Sequence, residues 1–199
     1  MKITVKKAPP GCWLTLLLVA VAAMLVSGES ACVRPDGGGS DGLTVVLIRH
    51  GEKPDGGDHL SCKGLNRALA LPGVLYPLIG RPDVCFVPSI SQGSSVDHAR
   101  MLETVMLFAV KYDLKVSDKY GVDDVHALAE DILKRKGTVL VVWEHARLNS
   151  IAADLGAGDQ FFPWASDDFD SIWVITFHKG KAHLEKKKEG LNPGAACPF

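Results

Sequence analysis

The chain has 199 residues, of which 47% are apolar and 7% aromatic, and its formal net charge is −1. This length is sufficient for one domain with a substantial core, and the composition is typical of a globular protein. The near-zero charge, with no stripe of lysine and arginine, argues against a nucleic-acid-binding surface.

The first thirty residues have the order of a secretory signal. Lysines at positions 2, 6 and 7 precede the apolar residues 12–26, and small residues follow. The apolar stretch is shorter than the roughly 18 or more residues of a spanning helix. We therefore expect a cleaved signal over residues 1–30 and export to the periplasm or the medium. An uncleaved N-terminal anchor is the second interpretation, and only it would bring the protein to a membrane.

Export changes the interpretation of the cysteines. The mature chain would keep Cys32, Cys62, Cys85 and Cys197, an even number in an oxidising compartment, with three possible pairings. A bridge between the flanking Cys32 and Cys197 is attractive, and Cys62 with Cys85 is then the remaining pair. Buried free thiols are the alternative, and the sequence does not choose among these possibilities.

After a flexible, glycine-rich leader over residues 31–42, strand and helix patterns alternate through one domain, residues 43–193, which a tail follows at 194–199. Predicted strands cover residues 44–49, 84–87, 138–143 and 171–177, with an edge strand at 181–186. Predicted helices cover residues 62–79, 96–110, 122–136 and 148–155. Ser61 is expected to cap the first helix, and Pro72 to end or kink it. This alternation predicts a three-layer α/β sandwich, with helices on both faces of a mostly parallel sheet.

Four polar side chains fall at comparable places in this pattern. Arg49 and His50 follow the first strand, Arg100 lies near the start of the helix after the second strand, and His145 follows strand 138–143. Open α/β sheets hold their ligands at the carboxyl ends of their strands, so these four groups are expected around one pocket. Two arginines and two imidazoles would form an anion site able to surround a phosphoryl group, and an imidazole can serve as the nucleophile.

With these residues in this order, the chain resembles the histidine phosphatase superfamily, which has the phosphoglycerate-mutase-like fold. The resemblance rests on four segments: 47–53 (LIRHGEK), 60–68 (LSCKGLNRA), 100–104 (RMLET) and 140–145 (LVVWEH). It covers essentially the whole domain, and the small size is similar to the compact phosphatase branch.

The resemblance implies a phosphatase that needs no metal and no cofactor. His50 would attack phosphorus and form a transient phosphohistidine, which water would hydrolyse. Arg49, Arg100 and His145 would bind the phosphoryl oxygens and stabilise their charge in the transition state. The substrate would be a small phosphomonoester or a phosphorylated protein.

The general acid is the part in which this sequence departs from the family pattern. Mutase-like members place a glutamate after the second helix, but residues 114–120 contain none. Asp118 and Glu52 are the remaining candidates, and an enzyme without a dedicated acid would suit good leaving groups. Strand alternation predicts that Glu144 points away from His145, and Arg67 is expected to form a structural ion pair.

Other functions fit less of the sequence. The missing acid favours, as the main alternative, a weak or inactive module of the same fold that binds phosphorylated ligands. A mutase lacks the expected glutamate and would belong in the cytosol. A structural protein of the cell envelope would explain the signal but not the four grouped side chains. The substrate and the oligomeric state stay open.

Overall fold

The computed structural model of the chain describes residues 40–90, 96–158 and 163–199. The predicted signal and residues 31–39 of the predicted leader lie outside the described residues. Within the described ranges, no helix has the length and apolar character that crossing a bilayer requires.

The described residues form strands and helices in alternation. The strands are β1 (Leu43–Arg49), β2 (Val84–Pro88), β3 (Val116–Tyr120), β4 (Gly137–Trp143), β5 (Ser171–His178) and β6 (Lys181–Lys188). The helices are α1 (Cys62–Ile79), α2 (Ala99–Tyr112), α3 (Val125–Leu133) and α4 (His145–Ala152), and a π-turn over Ala153–Ala157 follows α4. Every predicted element is present, α1 with the predicted bounds and the others with shifted ends, whereas β3 was not predicted.

The six strands form one mixed sheet in the order β3-β2-β4-β1-β5-β6. Strands β1 to β4 are mutually parallel, whereas β5 runs antiparallel to both β1 and β6. Strand β1 is therefore interior, between β4 and β5. Its buried apolar residues fit a strand covered on both faces. The predicted, mostly parallel sheet is confirmed.

Each face of the sheet carries its own helices and its own core. Val46 and Ile48 of β1 belong to the core under α1 and α2. Val45 and Leu47 belong to the core under α3 and α4. This alternation follows from the two-residue period of a strand, and the predicted three-layer sandwich is confirmed.

Helix α1 has the predicted N-cap, and it does not end at Pro72. Ser61 caps it as predicted, because its Oγ accepts a hydrogen bond from the Gly64 N–H at 3.2 Å. However, α1 continues through Pro72 and Pro77 to Ile79. Leu71 and Leu75 are fully buried in the core. We attribute the continuous helix to this packing, which offsets the backbone hydrogen bonds that proline removes.

The disulfide joins Cys62 to Cys197. The pairing of Cys32 with Cys197 is therefore wrong, and so is the pairing of Cys62 with Cys85. Cys85 is a buried free thiol of β2, on the interior of the sheet, and Cys32 lies outside the described residues. The C-terminal tail reaches α1 instead, where Asn66 Nδ2 donates to the backbone carbonyls of residues 194 and 196 at 2.8 and 2.7 Å.

Candidate phosphoryl-binding site

The four predicted side chains meet at the carboxyl ends of β1 and β4. Arg49 is the last residue of β1 and pairs in register with Trp143, the last residue of β4. His50 continues this pairing by donating its backbone N–H to the Trp143 carbonyl at 3.3 Å. His145 is the first residue of α4, and Arg100 lies in the first turn of α2. Parallel pairing of β1 and β4 thus places both strand ends at one edge.

His50 is buried, with 2% of its surface exposed. Its Nδ1 lies 2.7 Å from the Gly51 carbonyl oxygen. Because a carbonyl only accepts, Nδ1 carries the hydrogen and Nε2 keeps its lone pair. Burial, reinforced by the charges of Arg49, Arg100 and His145, lowers the pKa of His50 to about 3. The ring is therefore neutral near pH 7, in the form required of a nucleophile.

Arg49 is held by the segment that precedes β5. Its Nη1 donates to the Ser166 carbonyl at 2.5 Å, and its guanidinium carbon lies 3.8 Å from the centre of the Phe169 ring. Burial lowers the pKa of Arg49 to about 10, although Asp168 and Glu52 act in the opposite direction. Arg49 therefore remains a cation near pH 7.

Arg100 is fixed through both its side chain and its backbone. Its Nη2 donates to Glu144 Oε1 at 2.6 Å, and its backbone N–H donates to the Asp58 carbonyl at 3.2 Å. Thr104 Oγ1 accepts from the Gly51 N–H at 2.8 Å and donates to the Arg100 carbonyl at 2.6 Å. Thr104 thereby couples the first turn of α2 to the residue that follows His50.

His145 shares the electrostatic environment of this cluster. Burial lowers its pKa, and the positive charges of Arg49 and Arg100 add to that effect, whereas Glu144 opposes it. Arg49, Arg100 and His145 likewise act on the pKa of His50, which is consistent with the four side chains lying near one another.

Three of the four predicted side chains carry a buried nitrogen without a hydrogen-bond partner. In the described part of the chain, the buried side-chain polar atoms without a hydrogen-bond partner are Arg49 Nε, His98 Nδ1, Arg100 Nε and His145 Nδ1. Proteins pair nearly all of their buried polar groups, so such a concentration requires an explanation. Grouped nitrogens on arginine and histidine are suited to an anion with several oxygens.

The two predicted general acids do not fit that role. Asp118 is exposed on the edge strand β3, and it forms no described hydrogen bond or ion pair with the cluster. Glu52 accepts two hydrogen bonds of 2.9 Å from Arg67. Although burial acts in the opposite direction, these bonds lower the pKa of Glu52 and keep it ionised. Arg67 also pairs with Glu189 at 2.5 Å, so the predicted structural ion pair of Arg67 is confirmed.

Two residues beside this cluster, Glu144 and His98, were not predicted as site residues. Glu144, which strand alternation predicted to point away from His145, accepts a hydrogen bond from Arg100. The reason is that β4 ends at Trp143, and Glu144 occupies the N-cap of α4, where strand alternation no longer applies. His98, the N-cap of α2, lies with Nδ1 3.4 Å from Glu144 Oε1. Glu144 directly precedes His145, and His98 lies two residues before Arg100. This closeness in sequence was the signal that could have indicated them.

No family model and no curated protein matches the chain, but solved structures do. A protein of Agrobacterium tumefaciens, provisionally named phosphohistidine phosphatase SixA, aligns with a TM-score of 0.51 at 17% identity, over 74% of this chain and 99% of that one. A protein of the same provisional name from Nakamurella multipartitia aligns at 0.49 and 20% identity, over 75% and 95% of the two chains. The product of open reading frame Rv3214 of Mycobacterium tuberculosis aligns at 0.45 and 17% identity, over 71% and 95%. The sheet order and the likeness to the A. tumefaciens protein together give this chain the phosphoglycerate-mutase-like fold of the histidine phosphatases, as its motifs predict.

Proposed function

We propose that the protein is a metal-independent phosphatase that hydrolyses phosphomonoesters through a phosphohistidine on His50. The observation that carries the proposal is the hydrogen bond from His50 Nδ1 to the Gly51 carbonyl. Burial keeps the ring neutral although this bond acts in the opposite direction, and in the neutral ring the bond holds the hydrogen on Nδ1 and leaves the Nε2 lone pair free, next to two guanidinium groups. A neutral nucleophile surrounded by cations is suited to attack on a phosphate ester.

The reaction has two steps. His50 Nε2 attacks phosphorus and displaces the alcohol, and water then hydrolyses the phosphohistidine. Arg49, Arg100 and His145 bind the phosphoryl oxygens and stabilise their charge in both transition states. The provisional name of the A. tumefaciens neighbour supports phosphoryl hydrolysis as the reaction class. The substrate is a small phosphomonoester or a phosphorylated protein.

Export is part of the proposal. The order of basic, apolar and small residues at the N-terminus supports secretion. The disulfide between Cys62 and Cys197 supports an oxidising compartment, because such bonds are rare in the cytosol. The protein is then periplasmic or secreted, and it contacts a membrane only if the N-terminal segment is retained.

The test is phosphate release from 4-nitrophenyl phosphate by the full chain in EDTA. We expect turnover by the wild type and a loss of more than about 1,000-fold in His50→Ala, because removal of a nucleophile disables the whole sequence of steps. The matched control is His126→Ala, which alters a histidine that is 78% exposed on α3. Circular dichroism verifies that each variant folds.

Two outcomes would contradict the proposal. Full activity of a folded His50→Ala variant would exclude a phosphohistidine at this position. Binding of inorganic phosphate by the wild type, without release from any of a panel of esters, would instead identify a phospho-ligand-binding module.

A further inference from the structure

We propose that His98, oriented by Glu144, is the general acid that protonates the leaving oxygen. This inference rests on the function proposed above. It supplies the proton donor that neither Asp118 nor Glu52 provides.

The backbone of His98 is held in an uncommon conformation. His98 is the N-cap residue of α2, with φ of 59° and ψ of 17°, in the left-handed region that few residues other than glycine occupy. Such conformations are concentrated at functional sites, where the surrounding structure maintains them. Here the conformation places an imidazole two residues before Arg100.

One nitrogen of the His98 ring is buried beside Glu144. Nδ1 is buried, has no hydrogen-bond partner, and lies 3.4 Å from Glu144 Oε1. The side chain as a whole retains 23% of its exposed surface, so the ring is not sealed in the core. Catalytic hydrogen bonds are often long before substrate binds and shorten in the complex. A hydrogen bond from Nδ1 to Glu144 would orient the ring and leave Nε2 as the atom that exchanges a proton.

Glu144 connects His98 to the phosphoryl position. The same Oε1 accepts the 2.6 Å hydrogen bond from Arg100 Nη2, so this oxygen has no proton to give and serves as an acceptor. One carboxylate oxygen thus links the imidazole of His98 with a guanidinium that binds the phosphoryl oxygens. Glu144 is therefore a positioning residue, and His98, beside the carboxylate that holds Arg100, is the group that we assign to the leaving atom.

His98 donates a proton in the first step and accepts one in the second, so the protons balance. In the first step, the P–N bond to His50 Nε2 forms and the P–O bond breaks. The leaving oxygen keeps the bonding electron pair and takes a proton from His98 Nε2. In the second step, water attacks phosphorus, the P–N electrons return to His50, and His98 Nε2 accepts a proton from the water. The sum is ester plus water giving alcohol plus phosphate, with both histidines restored.

The test is the leaving-group dependence of kcat/KM for the full chain. A nitrophenolate leaves without help, whereas the alkoxide of β-glycerophosphate requires a proton. In His98→Asn, we expect the ratio of kcat/KM for β-glycerophosphate to that for 4-nitrophenyl phosphate to fall by about 100-fold. Asparagine tolerates the left-handed conformation, so this variant preserves the turn into α2.

Two further variants sharpen the test. Glu144→Gln keeps an oxygen that can accept from Arg100, and we expect it to lower the same ratio. His126→Asn alters an exposed histidine that also faces a carboxylate, Glu130, at 3.3 Å, and the ratio should not change.

The outcomes separate this inference from the proposed function. Equal losses on both substrates in His98→Asn, with His50-dependent turnover in the wild type, would overturn only the role of His98. A wild type that hydrolyses the nitrophenyl ester but not the glycerol ester has no general acid, and this also overturns the inference alone. A wild type that releases phosphate from neither ester overturns both proposals.

Discussion

The guanidinium carbon of Arg49 lies 3.8 Å from the centre of the Phe169 ring. The same ring meets His50 edge-on, with the ring centres 6.1 Å apart. Phe169 precedes β5, the antiparallel neighbour of β1, so one aromatic side chain contacts both residues at the end of β1. We infer that Phe169 orients Arg49 for phosphate.

The first prediction concerns this contact. Phe169→Leu removes the aromatic face but keeps an apolar side chain. A cation–π contact contributes about 1 kcal/mol, so we expect the KM for 4-nitrophenyl phosphate to rise about fivefold. Phe169→Tyr keeps the ring face and should retain the wild-type KM. An unchanged KM in the leucine variant would show that the Ser166 carbonyl alone is sufficient to hold Arg49.

The second prediction concerns the close approach of α1 to the segment after His50. A Cβ placed on Gly64 would collide with the backbone carbonyl of Glu52, whereas one on Gly73 would meet nothing within 4 Å. Gly64→Ala should therefore destabilise the fold by about 1–3 kcal/mol and lower kcat by displacing the segment next to His50. The matched change in the same helix, Gly73→Ala, should stabilise by about 0.5–1 kcal/mol.

Urea unfolding and phosphatase assays on both alanine variants check this pair. If Gly64→Ala and the wild type had equal unfolding free energies, the segment after His50 would move aside without destabilising the fold.

The third prediction concerns the buried ion triad of Arg67 with Glu52 and Glu189. Arg67→Ala leaves two carboxylates without their guanidinium, and breaking a buried pair in this way costs about 3–5 kcal/mol. Lys63 is the control, because it also faces Glu52, at 3.7 Å, but its side chain is 44% exposed. Lys63→Ala should change the unfolding free energy by less than about 1 kcal/mol. Similar losses in both variants, measured by urea unfolding, would contradict this assignment.

The fourth prediction concerns pH. The pKa of His50 falls from an ordinary value of 6.5 to about 3 on folding. Between these values the unfolded chain binds a proton that the folded chain does not. The contribution of His50 to the unfolding free energy is therefore fully present above pH 6.5, and it is lost as the pH falls toward 3. The slope is about 1.4 kcal/mol per pH unit.

His50→Gln removes this titration. Between pH 7 and pH 5, the unfolding free energy of the wild type should fall by about 2 kcal/mol more than that of the variant. Urea titrations at several pH values measure the difference. A pH-independent difference would show that His50 titrates equally in both states.

The sheet and the four-residue cluster were predictable because they rest on local, repeated signals. Continuous apolar runs mark β1 and β4 as interior strands, and parallel pairing carries Arg49, His50 and His145 to one edge. Strand β3 gives no such signal, because an edge strand exposes most of its residues, and Ser117, Asp118 and Lys119 are polar.

The missed features depend on long-range contacts. Glu144 and Arg100 lie 44 residues apart, so only the folded chain brings the carboxylate to the guanidinium. The path of the tail along α1, which selects Cys62 as the partner of Cys197, likewise has no local pattern. Of the two effects expected of Pro72, the end of α1 is wrong, because the rule for prolines in helices omits the energy of packing Leu71 and Leu75 against the sheet.

The disulfide closes residues 62–197 into a covalent ring, and β1, with Arg49 and the adjoining His50, enters the sheet from outside that ring. A protease that cuts once in the turn between β5 and β6, at Lys179, would open the ring without releasing a fragment. The nicked protein would migrate as one species on a non-reducing gel and as two after reduction. Strands β5 and β6 would remain tethered, so a single cut there need not separate Phe169 from Arg49.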